Sequence, residues 1–153
     1  MKTLLAFALL FSLGFAPQSK DKIRVYVFTA IDPAGLVDQA QKDRLDSVRD
    51  IAGKLSGRRF VVVQTAEQAD IRIEVLARGW WRAVDWDRRP APRVGPTRNV
   101  LVVDVTLFVG ADYRTNLRGS DVYTWAAAAS DCANQVDRWV KDNRARILAA
   151  RAK

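Results

Sequence analysis

Residues Lys22 to Thr29 read KIRVYVFT, in which Ile23, Val25 and Val27 alternate with Arg24, Tyr26 and Phe28. Apolar residues at every second position among β formers specify a strand with one face turned to a core. From Leu36 the period changes: Leu45, Val48, Ala52 and Leu55 recur at three-four spacing, with Ala40 and Ile51 extending the stripe. Gly57 stands where a helix C-terminal cap sits. Phe60 to Gln64, FVVVQ, is a continuous apolar run of the kind covered on both faces, which predicts a central strand. Strand, helix and strand in this order impose a right-handed crossover, so the first two strands run parallel in one sheet.

Thr65-Ala66-Glu67-Gln68 has the form of a capping box and predicts a single helical turn in which Thr65 accepts from the amide of Gln68. A third strand follows from Ile71 to Arg78, with Ile71, Ile73, Val75 and Ala77 alternating with Arg72, Glu74 and Leu76. Gly79 to Asn99 loses periodicity and reads as a long loop or an extended hairpin tip. Val100 to Val109 is a long strand, Gly110-Ala111-Asp112 a turn, and Tyr113 to Leu117 a shorter strand, which together make an antiparallel meander. Gly119-Ser120-Asp121 is expected to end the sheet. The last helix runs from Thr124 to Ala149, its apolar stripe formed by Trp125, Ala128, Ala129, Cys132, Val136, Trp139, Val140, Asn143 and Ile147. The expected fold is α/β (α+β): a mixed sheet of about five strands in the chain order β-α-β-β-β-β-α, with two long helices packed on one face.

The amino terminus has the three parts of an export signal: Lys2, an apolar run from Leu4 to Phe15, and small residues near Ala16. The run is shorter than the roughly 20 residues of a membrane span. Residues 1–19 are therefore expected to be a signal peptide cut between 16 and 20, and residues 20–153 a single domain without a transmembrane segment, periplasmic or secreted. The chain carries 25 basic and 17 acidic residues, a net charge of +8, which suits anionic partners and also solubility. Loss of Lys2 with the leader lowers it by one. The single cysteine, Cys132, allows no internal disulfide, and its place on an apolar stripe reads as a small buried hydrophobe. An intermolecular disulfide is the sharper alternative.

No histidine is present, which removes the usual general base and the commonest metal ligand. Ser-His-Asp and Cys-His chemistry is excluded, no zinc site of the usual kind can be assembled, and the isolated glycines form no phosphate loop or dinucleotide fingerprint. No metal and no cofactor is expected. Carboxylate pairs are the remaining acid/base option, either Asp85 with Asp87 or Glu74 with Asp104 on neighbouring strands.

The segment from Gly79 to Asn99 gathers Trp80, Trp81 and Trp86 with Arg82, Arg88, Arg89 and Arg93, stiffened by prolines at 90, 92 and 96. Such a surface stacks on planar or sugar rings and pairs with anions. The competing account is structural: Trp80 and Trp81 alternate in and out at the end of a strand, and Trp86 folds back as a lid. Interleaved Arg and Trp also describe a single-stranded nucleic-acid platform, but the export signal argues against nucleic acid.

The elements KIRVYVF, VRDIAGKLSG, FVVVQT, AEQADIRIEVLARG, VLVVDVTLFVG and CANQVDRWV, in that order, resemble a class of small exported bacterial α/β domains. The ADIRIEV element is similar to the amino-terminal domain of the periplasmic Tol-Pal translocation protein and related envelope lipoproteins. That resemblance implies a binding or scaffolding domain of the cell envelope, not an enzyme. The chain departs from it in lacking a lipid-accepting Cys and in carrying the Trp/Arg segment. The expected function is thus a non-enzymatic envelope binding module, with an envelope protein or anionic envelope polymer as partner. The alternatives are a carboxylate-dependent hydrolase of an envelope glycan and an electrostatic binder of anionic surfaces.

Overall fold

A computed structural model describes residues 22–31, 37–56, 58–84 and 97–151; the expected signal peptide lies outside them. The elements are β1 (Ile23–Phe28), α1 (Gln39–Leu55), β2 (Phe60–Val62), a 3-10 turn (Ala66–Gln68), β3 (Ile71–Val84), β4 (Thr97–Val109), β5 (Tyr113–Asp121) and α2 (Trp125–Arg151). The five strands form one mixed sheet in the order β2-β1-β3-β4-β5. β1 runs parallel to both β2 and β3, and β3, β4 and β5 form an antiparallel meander.

Alternation in the strands decides which face is buried. Ile23, Val25, Ile71, Ile73, Val105 and Leu107 are wholly buried against Ile51 and Leu55 of α1 and Ala128, Cys132, Val136 and Ile147 of α2. Both helices lie on this one face. Each such side chain contributes about 1.5–3 kcal/mol by leaving water.

Several expected details are corrected. β2 is an edge strand, because the crossover through α1 sets it outside β1 while β3 takes the other side of β1. In α1 the buried residues are Gln41, Ser47, Ile51 and Leu55, and Leu45 and Ala40 face outward. Gln41 and Ser47 are buried with local bonds: Arg44 donates to the Gln41 side-chain oxygen and the Ser47 hydroxyl to the Asp43 carbonyl, while Gln41 Nε2 has no partner among the described residues. Thr65 does not cap the 3-10 turn with its side chain. The Glu67 carboxyl is held below its usual range by its own amide and by the Thr65 hydroxyl. Strand continues through Gly79 to Val84 and resumes at Thr97, so most of the expected loop's flanks are a paired hairpin. β5 likewise runs on through Gly119 and Ser120 to Asp121, where the sheet was expected to stop.

Two close contacts hold α2 to the sheet. A Cβ on Gly119 would fall inside the van der Waals surface of the Ala128 carbonyl oxygen and the Cys132 Cβ, so only glycine lets β5 approach so near. Alongside it, the Asp131 carboxylate accepts from the Ser120 amide at 3.0 Å and Gln135 donates to the Arg118 carbonyl, covering outward backbone groups of an edge strand. The helix starts on Thr124, whose hydroxyl accepts from the Ala127 amide, and Asp121 accepts from the amides of Tyr123 and Thr124. At the other end, Gly110 takes a φ of 60° in the β4–β5 turn, a conformation that favours glycine.

Asp70 pins the far end of α2. Its side chain is 1 % exposed and accepts from the Arg24 amide at 2.7 Å, from Arg24 Nη2 at 2.8 Å and from Arg151 Nε at 2.9 Å. One carboxylate therefore joins β1, the start of β3 and the last turn of α2. Burial pushes the Asp70 carboxyl up, but the hydrogen bonds and charges of Arg24 and Arg151 outweigh it and leave the group below its ordinary value.

A depressed carboxyl stabilises the fold above its unfolded pKa and loses that contribution as pH falls through the folded value. Asp70→Asn should cost on the order of 3 kcal/mol near neutral pH. Denaturant titrations should show the gap between wild type and variant closing below about pH 4. Gly119→Ala should lower stability by about 1–3 kcal/mol through overpacking. Gly79→Ala, with nothing within 4 Å of the added carbon, should leave the melting temperature unchanged.

Candidate functional site

β3 and β4 pair along their whole length, out to Val84 opposite Thr97. Their register shifts between Val75 and Ala77, which makes Leu76 a bulge residue and reverses the facing of everything beyond it. The Thr29 hydroxyl donates to the Val75 carbonyl beside the bulge at 2.9 Å. Before the bulge, Ile71, Ile73 and Val75 face the helices; after it, Arg78 and Trp80 do, while Trp81 takes the opposite face.

Trp80 and Trp81 thus lie on the two faces of one hairpin arm. Trp80 meets the edge of Trp125 at 6.0 Å, and the Arg78 guanidinium sits 4.3 Å above the same Trp125 ring. Arg78 also donates to the Asp43 carbonyl. On the other face, Arg118 covers Trp81 at 4.6 Å and grips Asp104 with two bonds of 2.6 and 3.0 Å. Trp80 nonetheless remains 66 % exposed and Trp81 53 %. Neither is buried: Trp80 lies where the arm reaches past the helix layer, and Trp81 lies on the face that no helix among the described residues covers. Tyr123, 85 % exposed, follows Asp121, which pairs with Leu101, itself opposite Trp80. The backbone of Arg82 pairs with Asn99 in the arm. Trp86, Arg88, Arg89 and Arg93, together with Asp85 and Asp87, lie outside the described residues.

The second carboxylate pair is not brought face to face. Glu74 stands opposite Thr106, and Asp104 stands opposite Ala77 with both oxygens taken by Arg118.

The open side of the sheet gathers aromatic and cationic residues from four strands that no single strand's pattern marks as a site. Register places Tyr26, Arg72, Phe108 and Arg114 side by side across β1, β3, β4 and β5. The next row is Phe28, Glu74, Thr106 and Asn116. Tyr26 and Phe28 stack at 5.3 Å with their planes 8° apart, and the Arg72 guanidinium lies 5.4 Å from the Phe108 ring centre. Thr106 donates to the Asn116 side-chain oxygen at 2.9 Å. A shallow depression of about 550 Å³ is lined by Glu74, Leu76, Thr106, Phe108, Arg114 and Asn116. No helix among the described residues covers this face. The signal for it was present: aromatic residues at the non-core positions of KIRVYVF are unusual for a face that merely meets water.

No protein-family model matches the chain, and no curated protein is significantly similar to it.

Cys132 is fully buried beneath β5, and burial, aided by the charges of Asp131 and Asp104, pushes its thiol up to about 12. A thiolate is scarce under such conditions, so the group is a packing residue in this fold. An aromatic disulfide reagent should leave native Cys132 unmodified and label it stoichiometrically in denaturant, and non-reducing electrophoresis should give a monomer band.

Proposed function

We propose that this chain is a non-enzymatic binding domain exported to the bacterial cell envelope, with the open sheet face and the Trp81 side of the hairpin arm as its contact surface. The observation that carries this reading is the five-stranded sheet whose helices, among the described residues, pack on one face, with the other face bearing Tyr26, Phe28, Trp81 and Phe108 among arginines. Leaving such rings in water costs free energy that a ligand recovers on binding. The net charge of +8 favours an anionic partner, an envelope polymer or an acidic protein surface. The leader-like amino terminus and the likeness of ADIRIEV to the amino-terminal domain of the Tol-Pal translocation protein support the location and the binding role.

The test is co-sedimentation with washed bacterial envelopes at physiological salt. Wild type should be retained, and Trp81→Ala combined with Arg72→Ala and Phe108→Leu should reduce the bound fraction about tenfold, equivalent to about 1.4 kcal/mol. The triple variant should melt within a few degrees of wild type. Retention that is equal in the two proteins would remove the open face from the function, and no retention of either would remove the envelope.

A further inference from the structure

We infer that the open face takes an acidic polysaccharide, lying across the strands along the row Tyr26, Arg72, Phe108 and Arg114. This rests on the open face being the contact surface proposed above, and it specifies the chemistry of the partner.

The row alternates ring, cation, ring, cation over four neighbouring strands. Adjacent strands are about 4.8 Å apart, so the two rings are separated by about 9.6 Å, and so are the two cations. That spacing is close to the repeat of two linked pyranose rings. A polymer in which an uncharged sugar alternates with a sugar acid can rest one sugar against the open side of each aromatic ring and bring one carboxylate near each arginine. Arg72 donates one bond to the Gly110 carbonyl at 3.2 Å, which fixes the guanidinium over Phe108 and leaves most of its five donors for an anion. Arg114 is exposed and has no ion-pair partner among the described residues.

The neighbouring row selects among anionic polymers. Glu74, Thr106 and Asn116 line the depression beside Phe108 and Arg114. Sugar hydroxyls are donors as well as acceptors, and a carboxylate with an amide and a hydroxyl satisfies both. A nucleic-acid strand offers a phosphate at every residue and would meet Glu74 as a like charge. Two of the remaining arginines on this face are already paired, Arg24 with Asp70, which it shares with Arg151, and Arg118 with Asp104. The face therefore presents sparse, spaced cations, which fit a polymer charged at every second residue better than one charged at every residue.

Titration calorimetry of the whole protein with hyaluronan, an alternating polymer of this type, tests the inference. The comparison probes are carboxyl-reduced hyaluronan, oligothymidylate and phosphatidylglycerol vesicles. Hyaluronan should bind, and binding should weaken about tenfold or more on carboxyl reduction, in Arg72→Gln with Arg114→Gln, and in Tyr26→Leu with Phe108→Leu. The Leu variants keep apolar volume in half-buried positions, and the Gln variants remove charge and, at Arg72, the contacts with Gly110 and Phe108, so each checks the other if one fails to fold. Leu variants that fold and bind like wild type would overturn the stacking row. Tighter binding of oligothymidylate or of the vesicles than of hyaluronan would overturn the glycan in favour of nucleic acid or lipid. If no probe polysaccharide binds while envelope retention still depends on the open face, the glycan inference fails and the binding-domain reading stands. If envelope retention is absent as well, both fail.

Discussion

Both helices return to the same side of the sheet, and this one-sided burial governs the rest of the structure. The β1–α1–β2 crossover places α1 over β1 and β3, and α2 lies under β4 and β5 after the meander. The odd-numbered residues of β1 and the first half of β3 are consumed by the core, and no helix among the described residues covers the even-numbered ones. A sheet covered on one side ordinarily answers with polar residues on the other. Here Tyr26, Phe28 and Phe108 occupy those places, so the composition of the outer face answers to something besides water.

The two ends of the sheet are held differently. At one end Asp70 ties β1, β3 and the last turn of α2 together through two guanidiniums, and its carboxylate is the buried charge that both of them serve. At the other end the β3–β4 arm outruns the helices. There the contacts are of the adaptable kind, with Arg78 over Trp125, Trp80 on the edge of the same ring and Arg118 over Trp81. Cation–π contacts at exposed positions are individually worth about 0.5–1 kcal/mol, less than a desolvated ion pair. Deep burial at one end and loose stacking at the other suit a rigid platform with a yielding rim.

The architecture was legible where periodicity was strong. The strand in KIRVYVFT, the helix ending near Leu55, the meander and the α2 stripe through Cys132, Val136 and Ile147 all follow from spacing. Three features were not legible, each for a physical reason. The continuous run FVVVQ does not distinguish a central strand from an edge strand, because the distinction depends on where β3 later inserts. The extension of β3 through Gly79 to Val84 is hidden by the bulge at Leu76, which breaks period two in the middle of the strand. The same bulge reverses the facings beyond it, which sets Trp80 on the helix side and Trp81 on the open side, an assignment that local pattern does not show. The Tyr26–Arg72–Phe108–Arg114 row was out of reach for another reason: its members come from four strands, and only the register aligns them.

Arginine use also shows why net charge overstates what a ligand would meet. Of the arginines on the open face, Arg24 is committed to Asp70 and Arg118 to Asp104 and Trp81. Beyond that face, Arg59 pairs with Asp137 and Arg78 is held between Trp125 and α1. Guanidinium groups here act as connectors, using planar donors to reinforce the joins between neighbouring elements. Only those left over, with Arg72 and Arg114 foremost on the open face, present charge outward. Among the described residues the open face therefore offers a few placed cations and not a uniform basic surface, whatever the chain's net charge of +8.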